Sequence, residues 1–374
     1  MTKLYPIILI SLSLSFLAQS PLFYQTGIGT ERRYNKAFFV CLVLALVLFA
    51  GLRTSYNDTG GYTYSYRHLA TGKAAFLNFD WKLGDNPGFN IVNMILRWLH
   101  VSDQSFLLFY AAVTVSIYVW FIFRYSVNPA FSIFLLFSMG AYTFTMAAIK
   151  QCIAIAFCLL ATHFAMEKKW KLFIFWVLIA STFHAYALMF LILPLLDFQP
   201  WSGKTWLMLA AFAGAGIMLQ SLIGTVISVT SMLGEEYDAA TFSGDGVNPF
   251  RLAVVSVPVL ISFVAKSNIS AQRNKRQNLI LNLSILNAEI MFVALFGTAN
   301  YFARLANYFL LFQTISIPWL LTFFEKKSRR LITFVAVLCY AAYMYYGHAI
   351  NETFDLDYSG ITLISYLRSG FFSG

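Results

Sequence analysis

Apolar runs recur along this chain at residues 4–22, 37–52, 104–124, 130–148, 150–166, 172–196, 205–223, 250–265, 278–298, 301–322 and 331–346. One water-soluble core cannot absorb so many. Most approach the roughly 20 residues that cross a hydrocarbon layer, and in that layer a backbone satisfies its polar groups only as helix or closed barrel. The expected class is therefore all-α: a polytopic integral membrane protein with one transmembrane domain over residues 1–374. Hydrophobic residues at 59% and charged residues at 11% agree with this. The net charge of +10 would suggest a nucleic-acid partner in a soluble protein. Here the basic residues collect in short loops between runs, so no nucleic-acid function is inferred.

Four loops are the most basic, at 31–36 (ERRYNK), 167–171 (EKKWK), 266–276 and 325–330 (EKKSRR), and all four are assigned to the cytoplasm. Any two must then be separated by an even number of crossings. Between the first two, four runs suffice if 88–101 does not cross. That segment, GFNIVNMILRWLHV, is short and carries Arg97 and His100, so it reads as a re-entrant or interfacial helix within an external loop over 53–103. Between the second and third loops the count is odd, so one run must fold back. The break is placed near His184, where Ser181, Thr182 and His184 interrupt the run, with a hairpin inside 205–233 as the competing choice. About twelve crossings result, with both termini outside and a second, acidic external loop over 224–249. The first run ends in a stretch like the end of a signal peptide, but its length and the lack of a small-x-small site make it a first span.

This topology places the unusual polar residues on one face. Arg53 and Asp58 follow the second span, Lys150 and Gln151 open the fifth, His184 marks the break, Arg251 opens another span, and Arg304 lies one turn inside ANYFARLANYF. Intramembrane arginines are expensive and mark function by default. The segment at 51–68, GLRTSYNDTGGYTYSYRH, holds Arg53, Asp58 and four tyrosines, and reads either as an interfacial anchor or as a chemically equipped loop. Lys150 reads as a snorkelling lysine or a site cation, and His184 as a core histidine or a titrating group. The four cysteines lie in apolar runs without paired spacing, and neither the histidines nor Asp355-Leu356-Asp357 forms a convincing metal set. No metal and no cofactor is expected.

Taken in order, Arg53, Asn57-Asp58 and Tyr62, then Lys150-Gln151, then Phe183-His184-Ala185-Tyr186-Ala187, then Arg304 with Tyr308-Phe309, resemble the EpsG-like group of Wzy-type bacterial polysaccharide polymerases. The likeness runs from about residue 50 to 310. Lys150 stands where that group has Arg, and Tyr186 where it has Ser. The resemblance implies a glycosyltransferase of GT-C-like architecture in the bacterial inner membrane, with a cavity facing the periplasm or exterior. It would join oligosaccharide repeat units carried on undecaprenyl pyrophosphate into O-antigen, capsule or exopolysaccharide. Its partners would be the lipid-linked donor and acceptor, membrane lipid, a chain-length regulator and a flippase. Arg53, Arg304 and Lys150 are the cations suited to a pyrophosphate leaving group, with Gln151 and Arg251 beside them as substrate-binding candidates. His184 and Asp58 are the candidate bases. Tyr62, Tyr64 and Tyr66 are candidates to stack on sugar faces or to line the lipid entry, and Tyr308 completes the set.

Two other classes use similar residues. A lipid-linked oligosaccharide flippase needs cations in a cavity, but the paired broken spans of a transporter are not evident. A membrane acyltransferase uses an intramembrane His, but a matching Asn or Asp partner is not evident either.

Overall fold

The computed structural model describes residues 3–19, 34–79, 81–234, 242, 246–272, 274–297, 299–347 and 355–372. The described chain is helical, with two isolated antiparallel bridges, Ser55 with Asp357 and Val101 with Phe372, as its only β pairing. The helices run α1 (Leu4–Gln19), α2 (Lys36–Gly51), α3 (Thr59–Arg67), α4 (Lys73–Leu77), α5 (Pro87–Trp98), α6 (Asp103–Tyr125), α7 (Pro129–Ser138), α8 (Ala141–Ala147) and α9 (Ile149–Met166). They continue as α10 (Trp170–Phe183), a 3-10 run over Ala185–Leu196, α11 (Gly203–Ile217), α12 (Leu219–Met232), α13 (Pro249–Val264) and α14 (Lys266–Gln272). The last are α15 (Lys275–Val293), α16 (Ala299–Leu321), α17 (Lys326–Tyr345) and α18 (Leu363–Ser369).

Among the described residues, α6 and α9 are long and apolar enough to cross a membrane. Three bent pairs raise that number to five if each is one span: α7 with α8 at 53°, α11 with α12 at 97°, and α13 with α14 at 71°. Helices α1, α2 and α10 and the Ala185–Leu196 run are apolar but shorter. The twelve crossings read from the sequence are thus more than length and composition of the helices establish. The physical reason is visible in α15, whose Gln277, Asn278, Asn282, Ser284, Asn287 and Glu289 are all buried, and in α17, which opens on Lys326, Lys327, Arg329 and Arg330.

The break expected at His184 is present. Helix α10 stops at Phe183, His184 is extended (φ −160°, ψ 115°), and the 3-10 run follows. The competing position is also interrupted, by the 97° turn between α11 and α12. Helix α5 has 12 residues, about 18 Å of rise, which is too short to cross. It buries Phe89, Asn93, Met94 and Leu96 and exposes Ile95 and Trp98. Of the expected acidic loop, Gly224 to Met232 belongs to α12. Glu235, Glu236, Asp238 and Asp245 lie outside the described residues, as do Glu31 to Arg33, Arg273 and His348.

The chain packs as two compact units. One comprises residues 1–124, 129–188 and 341–374; the other 125–128 and 189–340. In the first, α9 packs on α10, α1 on α2 and α7, and α5 on both α3 and α10. Close approach is built in at Gly51 and Gly88: an added Cβ would fall 2.7 Å from the Leu108 backbone at the first and 2.1 Å from Thr182 Oγ1 at the second. In the second unit α15 and α16 form a hairpin tied by amides. Asn287 Nδ2 donates to the Ala306 carbonyl (2.5 Å), and Gln313 Nε2 donates to Asn287 Oδ1 (2.9 Å) and the Val255 carbonyl (2.7 Å). Such bonds hold helices together where the surroundings are as apolar as the helices themselves.

Candidate active site

The loop after α2 is organised by Arg53, which is 1% exposed. Its Nη1 donates to the Ala50 carbonyl (2.5 Å), its Nη2 to the Met146 carbonyl (2.8 Å) and its Nε to Thr59 Oγ1 (3.0 Å). Ala50 and Met146 lie in the last turns of α2 and α8, where carbonyls lack helical partners and the macrodipole is negative. One guanidinium therefore closes two helix ends. Burial lowers its pKa to about 10, which still leaves it charged at neutral pH. The expectation that Arg53 offers its fork to a phosphate does not fit this arrangement, because the fork already points at the protein's own carbonyls.

The same loop is clamped from outside by the chain's C-terminal segment. Thr54 and Ser55 donate to the Asp357 carbonyl, Asp357 N–H donates to Ser55, and Asn57 N–H, at φ 47°, donates to the Asp355 carboxylate (3.1 Å). Tyr358 Oη donates to the Phe49 carbonyl (2.8 Å), and Gln104 Nε2 to those of Gly51 (2.5 Å) and Arg53 (3.0 Å). Lys3 Nζ pairs with Asp357 Oδ1 (2.7 Å). That bond, with those from the Tyr358 backbone and Ser359, holds the Asp357 carboxyl well below the usual range. Asp355 and Asp357, set aside above as a metal motif, thus fasten a loop. Among the described residues no group of three or more His, Cys, Asp or Glu is arranged to hold a metal ion.

Beside the clamped loop lies a cavity of about 580 Å³. The start of α3 supplies Asn57, Asp58, Gly61, Tyr62 and Ser65; α5 supplies Phe89, Asn90 and Asn93; the first turn of α9 supplies Lys150. Asp58, Tyr62 and Ser65 fall at i, i+4 and i+7, one face of a helix. Asp58 is the N-cap residue of α3, yet its carboxylate makes no capping bond and is exposed on the wall. The Tyr62 and Phe89 rings meet edge to face at 6.0 Å, and Lys150 Nζ stands 5.7 Å from the Phe89 centroid. A carboxylate, an ammonium, two aromatic rings and three amides converge from three separated segments.

Of the residues singled out from sequence, Asn57, Asp58, Tyr62 and Lys150 line this cavity. Tyr66 does not: it is 1% exposed, its ring stacks on Phe106 at 4.4 Å, and its hydroxyl donates to the Val101 carbonyl (2.7 Å), so its expected stacking on sugars is corrected to packing. Tyr64 is exposed beside His68. Gln151 is buried in the first turn of α9. His184 is half-buried and lies outside the lining, its ring 5.3 Å from that of Tyr186, although the preceding Thr182 and Phe183 touch Gly88 at the start of α5. Arg251, Arg304 and Tyr308 belong to the second unit, where Arg304 is exposed and Tyr308 is buried 6.1 Å from Phe190.

Sequence reasoning missed Phe89, Asn90 and Asn93. Their signal was present in GFNIVNMILRW, where two amides three residues apart share one face of an amphipathic helix. It also missed Glu289, 4% exposed in α15 with no hydrogen-bond partner on either carboxyl oxygen.

The family model for the EpsG family matches residues 36–358, a stretch that contains every residue of the cavity. The chain belongs to the EpsG family. EpsG-family proteins are Wzy-type polysaccharide polymerase-like membrane proteins, so the apolar helices and the polar cavity belong to a membrane protein of polymerase-like type. Comparisons with curated proteins and with solved structures returned no match.

Proposed function

We propose that this EpsG-family protein polymerises lipid-linked oligosaccharide repeat units by glycosyl transfer, with the cavity at Asp58 receiving the sugar hydroxyl that reacts. The observation that carries this reading is the convergence of Asp58 and Tyr62 from α3, Asn90 and Asn93 from α5 and Lys150 from α9 onto one polar cavity, within a chain of a polymerase-like family. The acceptor hydroxyl oxygen attacks the anomeric carbon of the donor chain. The bond from that carbon to the pyrophosphate oxygen breaks, and the lipid pyrophosphate leaves with the electron pair. The hydroxyl proton passes to the Asp58 carboxylate, which is exposed on the wall and not committed to capping α3. Lys150 supplies positive charge beside the reacting centre.

Of the two bases left open by the sequence, Asp58 is preferred because it lines the cavity and His184 does not. Arg251 and Arg304 extend the proposal as cations of the right type for the pyrophosphate, on their residue type and the family pattern alone. Undecaprenyl pyrophosphate as carrier, the bacterial inner membrane, about twelve crossings, a GT-C-like architecture and a periplasmic or external active face are parts of the same proposal. Incubating the purified protein with a lipid-pyrophosphate-linked repeat unit should yield a ladder of longer chains together with free lipid pyrophosphate. A repeat unit returned unchanged would refute the reading.

A further inference from the structure

The cavity wall formed by α5 carries two amides whose orientations are set by bonds pointing away from the cavity. Tyr110, 2% exposed, donates its hydroxyl to Asn93 Oδ1 at 2.8 Å. Asn93 is itself 5% exposed and lines the cavity, so with its oxygen held by Tyr110 its Nδ2 is the group left to face the ligand. Asn90 is turned the other way: its Nδ2 donates to the Asp85 carbonyl (2.7 Å), which leaves Oδ1 for the cavity. Three residues apart on a helix, the two amides stand about one turn from each other, roughly 5 Å along the axis. One fixed donor and one fixed acceptor are thus presented beside the Phe89 and Tyr62 rings. Fixed polar pairs next to an aromatic ring match a sugar, whose hydroxyls both donate and accept and whose C–H faces lie against rings.

The charge of the cavity narrows the choice further. Among the described residues it is lined by one carboxylate, Asp58, and one ammonium, Lys150, which offset each other. A pyrophosphate would require an excess of cations and would be repelled by Asp58, whereas an uncharged sugar is indifferent to both.

We propose that Asn90 and Asn93 are specificity-determining residues that bind the terminal neutral sugar of the acceptor, Asn93 donating to one ring hydroxyl and Asn90 accepting from another. The proposal rests on the polymerase reading for the word acceptor, but the binding of a neutral sugar stands without it. The discriminating variant is Asn93→Asp, which keeps the size of the side chain and an oxygen for the Tyr110 hydroxyl while replacing the cavity-facing donor by an acceptor. A residue that only supported Tyr110 would tolerate it.

The experiment uses the full-length protein in detergent and two readouts. The first is equilibrium binding of the phosphate-free oligosaccharide released by hydrolysis of the host's own polysaccharide. The second is the KM for that oligosaccharide as acceptor at fixed lipid-linked donor. Asn93→Asp should weaken binding and raise the acceptor KM by about tenfold or more, in a protein that still melts cooperatively. Tyr110→Phe, which frees the amide to rotate, should show a smaller effect in the same direction. Wild-type binding and acceptor KM in Asn93→Asp would overturn the subsite while leaving polymerisation intact. Weakened binding in that variant, from a wild-type protein that forms no polymer, would uphold the sugar site and overturn the polymerase reading instead.

Discussion

Arg53 holds three protein groups by hydrogen bonds, whereas the Asp58 carboxylate is exposed on the cavity wall, so neutralising the two should have different consequences. Arg53→Gln strands carbonyls at the ends of α2 and α8, at about 1–3 kcal/mol for each group left unpaired. The expected result is a lower melting temperature in detergent together with lost polymer. Asp58→Asn should keep the melting temperature and lose about 10²-fold or more in turnover, as removal of a general base does. His184→Gln, assayed alongside, should retain most of the polymer, and the opposite ranking of Asp58 and His184 would transfer the base role to the histidine. Lys150 occupies a position where the family pattern has Arg, and the ammonium over Phe89 asks for charge more than for a planar fork. Lys150→Arg should therefore support polymer, and Lys150→Met should not.

At the scale of elements, the C-terminal segment and the loop after α2 form one unit of structure although they stand at opposite ends of the chain. Asp355, Asp357 and Tyr358 bind the backbone of that loop and of α2, and Tyr366 Oη meets Ser105 Oγ at 2.8 Å at the start of α6. Ending the chain before Asp355 should speed hydrogen exchange at Thr54, Ser55 and Asn57 and lower activity while the membrane helices persist. Unchanged exchange there would show that Arg53 and Gln104 hold the loop without the C-terminal segment. The Asp357 carboxyl lies below its ordinary range, so its contribution is present above the unfolded value of about 4 and fades only as pH falls through the lower, folded one. Exchange at Thr54 and Ser55 should accordingly gain no extra pH dependence from the clamp between pH 5 and 8.

For the whole molecule, the basic loops predict an orientation that labelling can test. Single cysteines at Gly60, which is exposed with open space beside it, and Asp245 should react with an impermeant reagent from outside, and those at Asn274 and Ser328 should not. Labelling of the second pair in place of the first would invert the topology and move the cavity to the cytoplasmic side. Substitutions at Arg251 and Arg304, in the second unit, ask whether the reaction draws on more than the cavity residues: Arg304→Gln should abolish polymer and accumulate single lipid-linked repeats if it binds the leaving group.

By itself the sequence determined the helical class, an interruption of the apolar run at His184 and the amphipathic character of α5. Each of these is a matter of local periodicity, polarity and the cost of bare backbone in hydrocarbon, which neighbours in sequence settle among themselves. Only the tertiary structure decided which polar side chains face a cavity and which face the protein. Arg53 is turned inward by a carbonyl 93 residues away, and Asn57 is fixed by a carboxylate 298 residues away. Asn93 became a cavity donor because Tyr110, on the next long helix, holds its oxygen. A guanidinium or an amide has the same residue type whether it binds substrate or caps a helix, and its role is set by whichever acceptors folding brings within hydrogen-bond reach.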